Sequence, residues 1–171
     1  SRVTGAPATR EAAAYIAARF QALGLAASTQ EFPIQIKGTL LTGRNVIGQG
    51  RGRDTGTIVL VAHYDGQPTS DQSAGDNASG VGVLLELARI LEQRGHRHPI
   101  TYVATDASEW GAVGARVLAA SLDPRRIVAA VSFAFTFSAS LSESILPPIL
   151  MNILLLLAVP FFLPASWNPR I

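Results

Sequence analysis

Cysteine is absent from the 171 residues. That excludes disulfides and any thiolate-bound metal, and it says little about compartment, because many exported proteins also lack cysteine. Charge is scarce as well, at 15% Asp, Glu, Lys and Arg, against roughly 25% in ordinary soluble domains. The scarcity is local: from Ser144 to Pro169 no residue is charged. Lysine is almost missing, Lys37 being the only one, and the arginines are scattered (Arg51 and Arg53, Arg125 and Arg126) rather than interleaved with aromatics. A net charge of +2 distributed in this way argues against a nucleic-acid partner.

What is present is one domain's worth of chain with an α/β rhythm. Thr9–Leu23 places Ala12, Ile16, Phe20 and Leu23 on one helical face, with Thr9 as the expected N-cap and Gly24 as the stop. Gln30–Ile36 and Asn45–Gly48 read as strands. TIVLVA (Thr57–Ala62) and ITYVAT (Ile100–Thr105) read as strands buried on both faces. A helix is expected from Gly80 to Gly95, with Val81, Leu84, Leu85, Ala88 and Leu91 in register, and a shorter one at Val113–Ala120. Alternating strands and helices predict an α/β layer sandwich.

Ile127–Ser142 alternates Phe133, Phe135 and Phe137 with small residues, a strand period of two. ILPPILMNILLLLAVPFFLPA (Ile145–Ala165) follows. As a helix it would span about 31 Å, the thickness of a bilayer core. Pro147, Pro148, Pro160 and Pro164 interrupt it, so it reads either as a membrane-inserted segment or as a buried hairpin. Trp167 and Arg170 resemble an interfacial anchor. The expected division is a domain at 1–142 and a hydrophobic tail at 143–171. The chain opens on Ser1, compatible with a leader removed or never included.

In open α/β sheets ligands gather at the carboxyl edge of the strands. Thr57–Ala62 runs into His63 and Asp65, Ile100–Thr105 runs into Asp106 and Glu109, and the glycine-rich turn Gly75–Gly80 carries Asp76. Imidazole nitrogen with carboxylate oxygen suits catalytic zinc. The i, i+2 spacing lets Asp65 hold the ring nitrogen of His63 that faces away from a metal. A histidine at a strand end is also a common structural residue, so spacing alone leaves both readings open. RGHRHP (Arg94–Pro99) reads as an exposed loop with no local carboxylate, and Trp110 as core packing more than as a substrate platform. Asp106 reads as a support for the Glu109 loop, and the Asn77-Ala78-Ser79 glycosylation pattern as incidental.

VAHYDG, AGDNASGVGVLLELARIL and ITYVATDASEWGAVGAR, in this order and spacing, resemble the di-zinc aminopeptidases of peptidase family M28 over roughly Thr4–Ala130. The resemblance implies a three-layer α/β/α sandwich with a mixed sheet, an aminopeptidase-like fold that could be incomplete here. It implies a peptide substrate and zinc. Residue by residue, His63 and Glu109 match ligands of one zinc, Asp76 matches the carboxylate that bridges two zincs, and Asp65 matches the group behind the histidine.

Two departures stand out. Ser108 occupies the position of the family's general base, a glutamate. Ala134 occupies that of an aspartate of the second zinc, and no histidine follows His98. One zinc site is therefore expected to be retained and the second to be lost. The expected function is hydrolysis of N-terminal peptide bonds by a membrane-associated, extracytoplasmic domain. The alternatives are an inactive peptidase-like binding domain and a truncated family member.

Overall fold

The computed structural model of the protein describes residues 1–69 and 73–134. The elements run α1 (Pro7–Ala22), β1 (Ala26–Ile36), β2 (Thr39–Gln49), β3 (Thr57–His63), α2 (Ser79–Arg94), β4 (Ile100–Thr105), α3 (Val113–Ser121) and β5 (Ile127–Phe133). They form a five-stranded mixed sheet in the order β1-β2-β4-β3-β5. β1, β2 and β4 pair antiparallel, whereas β3 pairs parallel with both β4 and β5.

The period-two alternation of each strand sorts its side chains between two helical layers. On one face Val46, Leu60, Ala62, Tyr102 and Ala104 pack under Ile16 and Phe20 of α1 and Leu84 and Ala88 of α2. On the other, Val59 and Val103 pack against Leu118 of α3, and Phe32, Ile34 and Ile36 of β1 against Trp110, Val113 and Val117. All six residues of β4 are buried, as its near-continuous apolar run requires. The three-layer α/β/α sandwich is thus the observed architecture.

Two local readings are corrected. Helix α1 begins at Pro7, whose missing N–H costs nothing at a helix start, and Ala6 rather than Thr9 precedes it. Thr9 instead turns its hydroxyl inward to the carbonyl of Val3. The two short strands predicted before residue 50 are parts of one long hairpin, Ala26–Gln49, closed by Lys37-Gly38 with φ of 49° and 82°. Positive φ at both central residues matches the twist of a two-residue hairpin loop. The expected tail at 143–171 and its boundary at 142 lie outside the described residues. No helix among the described residues is long and apolar enough to cross a membrane.

The first layer depends on close approach of α1 to β2. The Phe20 and Tyr102 rings lie 6.2 Å apart, and a Cβ placed on Gly48 would come within 2.7 Å of the Phe20 ring. Gly48→Ala is expected to destabilise by about 1–3 kcal/mol through overpacking. Leu84→Ala is expected to cost about 2–5 kcal/mol through the cavity it leaves. Chemical denaturation of the two variants beside the parent protein measures both.

Candidate metal centre

The topology explains why the site lies where it does. From β3 the chain crosses through α2 on one face to β4, then through α3 on the other face to β5, on the opposite side of β3. The carboxyl end of β3 is therefore a topological switch point, the crevice where open α/β sheets bind ligands. His63 closes β3 there and pairs in register with Thr105 of β4.

His63, Asp76 and Glu109 each bring one ligand atom to this crevice, all within 4.8 Å of one another. His63 Nε2 lies 3.1 Å from Asp76 Oδ1. On the far side of the ring, Nδ1 lies 3.4 Å from Asp65 Oδ1 and 3.3 Å from the Asp65 carbonyl. Asp65 is fully buried, and its second oxygen accepts the backbone N–H of Glu109 at 3.1 Å. One carboxylate thus faces both the imidazole and the Glu109 loop.

Charge at the site is unbalanced: three carboxylates surround one imidazole. Burial of the His63 ring works to lower its pKa, but the Asp65 contact and the charges of Asp65, Asp76 and Glu109 outweigh it and leave the pKa raised. Glu109 is also raised, first by desolvation and then by repulsion from Asp76, with His63 opposing. With Nδ1–H directed at Asp65, Nε2 and the Asp76 oxygen are two acceptors facing each other. A cation between them, proton or metal ion, removes that repulsion. An imidazole nitrogen and two carboxylate oxygens with no sulfur is a donor set that zinc accepts, so the residues present fit the metal.

The neighbouring residues hold this arrangement. Asp106 accepts from Thr4 Oγ1 at 2.8 Å, from the N–H of Arg44 at 3.0 Å and from the N–H of Ala107 at 2.7 Å. Burial still pushes its pKa up, these hydrogen bonds opposing. It supports the Glu109 loop, as expected, in which Ala107, Gly111 and Ala112 all have positive φ. Asn77 is fully buried, donates to Phe133 O at 2.7 Å and accepts from Gly80 N–H at 3.1 Å. It ties the Asp76 turn to β5 and has no exposure for a glycan.

Trp110 packs in the second layer. Ser108, the residue before Glu109, is half-buried. Ala134 follows β5 at the same sheet edge, because Phe133 pairs with Ala62, and it is exposed. Among the described residues no second cluster of three metal-ligating groups forms.

The RGHRHP reading needs correction. Carboxylates do reach these histidines, Glu92 at 2.8 Å from His96 Nε2 and Asp54 at 3.7 Å from His98 Nε2, and His96 is mostly buried. They come from a helical turn away and from the loop before β3, so the hexapeptide alone does not reveal them. Residues missed by sequence reasoning include Arg2 and Thr4, whose contacts to the site bridge more than sixty positions of chain.

A family model described as Peptidase family M28 matches residues 45–142, more than half of the chain. Over 139 residues the chain is 33% identical to the alkaline phosphatase isozyme conversion protein of Escherichia coli, covering 68% of this chain and 40% of that protein. Over 76 residues it is 36% identical to aminopeptidase YwaD of Bacillus subtilis, covering 43% and 16%. Porphyromonas gingivalis glutaminyl cyclase superposes with a TM-score of 0.69 at 27% identity, covering 78% of this chain and 55% of that one. A Zn-dependent exopeptidase from Parabacteroides distasonis has the same fold, with a TM-score of 0.70 at 24% identity over 78% of this chain and 56% of its own. The chain therefore spans less than half the length of these curated relatives.

Zinc titration against a chromophoric chelator checks the geometry of the cluster. His63→Ala is expected to abolish tight binding. Asp65→Asn, which keeps the shape but weakens the hold on the imidazole, is expected to lower affinity about 10–100-fold.

Proposed function

The chain belongs to peptidase family M28, and from that premise we propose that it forms the zinc-holding part of an aminopeptidase-type site acting on the N-terminal bond of a peptide substrate. Membership implies zinc as the metal. The observation that carries the reading is the convergence of His63, Asp76 and Glu109 at the switch point, with Asp65 buried behind them. In this reading one zinc is held by these three residues, Asp65 fixes the tautomer and orientation of His63, and Asp106 keeps the Glu109 loop in place. Zinc bound there supplies Lewis-acid polarisation of the substrate carbonyl and lowers the pKa of water.

Hydrolysis also needs a group that accepts a proton from the attacking water. Ser108, at the position where the family resemblance places a glutamate, cannot do this at neutral pH. Loss of a general base lowers the rate by about 10²–10⁴-fold. Ala134 brings no carboxylate to the same edge. These two positions favour a second reading, a zinc- or peptide-binding domain without hydrolysis. Among the similar structures is a glutaminyl cyclase, in which this fold serves a different activity.

The uncharged run 145–165 supports association with a membrane, and we propose that the peptidase-like domain sits on its extracytoplasmic side. Carbonate extraction of membranes from cells expressing the protein is the check. The chain is expected in the pellet, and its release with soluble proteins would remove the proposal.

Metal content and turnover distinguish the two functional readings. One zinc per chain is expected, and two would show that the second site survives. Slow hydrolysis of an aminoacyl-nitroanilide is expected, abolished by Glu109→Ala and accelerated about 10²-fold or more by Ser108→Glu. Zinc binding with no hydrolysis by the parent protein or by Ser108→Glu would establish the non-catalytic reading instead.

A further inference from the structure

Residues 1–4, ahead of α1, touch every loop that carries a member of the metal cluster. The Arg2 guanidinium donates through Nε to Tyr64 O at 2.9 Å and through Nη2 to Ser73 O at 2.7 Å. The carbonyl of Arg2 accepts the N–H of Gly66 at 3.0 Å, and Ser1 Oγ donates to Gln67 O at 3.2 Å. Tyr64 lies between His63 and Asp65, and Ser73 precedes Asp76 by three residues. Two positions on, Thr4 Oγ1 donates to Asp106 Oδ1 at 2.8 Å, and the N–H of Ala107 donates to that same oxygen.

The two loops clasped by Arg2 already abut: a Cβ on Gly66 would come within 2.0 Å of Ser73 Oγ. The Tyr64 loop continues directly from β3, its Tyr64 N–H bonded to Thr105 O at 2.9 Å, whereas the Ser73 loop lies outside the sheet. With His63 fixed by the strand, the position of Asp76 beside it depends on the bonds that hold its turn, among them Arg2 to Ser73 and Asn77 to Phe133.

We propose that Ser1–Thr4 is a strap that positions the metal cluster, with Arg2 setting the spacing of His63 and Asp76 and Thr4 holding the loop of Glu109. The inference rests on the metal-centre reading above and adds residues that touch neither metal nor substrate. The chemistry favours arginine. Its planar fork presents two N–H groups at a fixed angle, so two carbonyls bound to it are held at a fixed separation. A lysine ammonium is a single point on a flexible stem and reaches one carbonyl while leaving the other free. The guanidinium also binds main-chain oxygens rather than the cluster carboxylates, so it organises the site without neutralising the charge that attracts a cation. Thr4 is 3% exposed, and its hydroxyl gives the buried Asp106 carboxylate a third donor beside the N–H groups of Arg44 and Ala107. Partners that hold ligands in place in this way alter metal affinity by about 10–100-fold when removed.

The test uses the full chain and three substitutions, Arg2→Ala, Arg2→Lys and Thr4→Val, with Thr4→Ser as the conservative rescue. Zn²⁺ affinity is measured by chelator competition, and the visible absorption of the Co²⁺-loaded protein reports ligand geometry. Thermal unfolding of each metal-free variant shows that the comparison is made on folded protein. The expected result is a 10–100-fold loss of affinity with an altered Co²⁺ spectrum in Arg2→Ala and Thr4→Val. Arg2→Lys should fall between Arg2→Ala and the parent, and Thr4→Ser should bind as the parent does.

Folded variants with parental affinity and spectrum would overturn the strap while leaving the metal centre intact. A parent protein that binds neither Zn²⁺ nor Co²⁺ would overturn the metal-centre reading and the strap with it. If Arg2→Ala does not fold, Arg2→Lys decides: parental affinity and spectrum in that folded variant overturn the role assigned to Arg2.

Discussion

The site depends on the buried carboxylate of Asp65. One of its oxygens faces the His63 ring and the other accepts the N–H of Glu109, so two strand ends are tied by one side chain. This works because β3 and β4 are parallel and pair His63 with Thr105, which makes both strands end at the same level. The N–H of Tyr64 adds a further bond to Thr105 O at 2.9 Å, and the Tyr64 hydroxyl reaches the carbonyl of Arg44 at 2.7 Å. Burying a carboxylate is costly unless its oxygens are engaged. Placing Asp65 here thus selects the conformation in which His63 and Glu109 face the same crevice.

Around that anchor the site is assembled from backbone that a sheet alone would not hold. The Glu109 loop passes through positive φ at Ala107 and Ala112, a region unfavourable for residues with a Cβ. Hydrogen bonds to Asp106 compensate. The carbonyl of Asp106 accepts from Gly114 N–H at 3.2 Å, and its side chain holds Thr4, Arg44 and Ala107. The Asp76 turn is held from one side by Asn77 bonded to β5 and from the other by Arg2 bonded to Ser73. Strand ends, strained loops and the N-terminal segment therefore form one connected support for three ligand atoms.

That support and the chemistry it serves are separable. His63, Asp76 and Glu109 and the groups that orient them gather at the end of β3. The position next to Glu109 carries a hydroxyl, and the end of β5 carries a methyl group.

Much of this was legible in the chain itself, for a physical reason. Near-continuous, β-branched apolar runs in Thr57–Ala62 and Ile100–Thr105 read as central strands, and polar residues that follow such strands emerge at one edge. His63, Asp65, Asp76 and Glu109 could therefore be named, with the family resemblance, from order and spacing. Local sequence does not encode which distant carbonyl a guanidinium will meet or which carboxylate will reach a histidine. The clasp of Arg2 on Tyr64 and Ser73, the hold of Thr4 on Asp106 and the pairing of Glu92 with His96 were decided by packing. The strand order decided them too, because the chain crosses to opposite sides of β3 and so opens the crevice into which those loops fold. Hydrophobic periodicity records which face of an element is buried; only the assembled sheet determines what each buried polar group finds there.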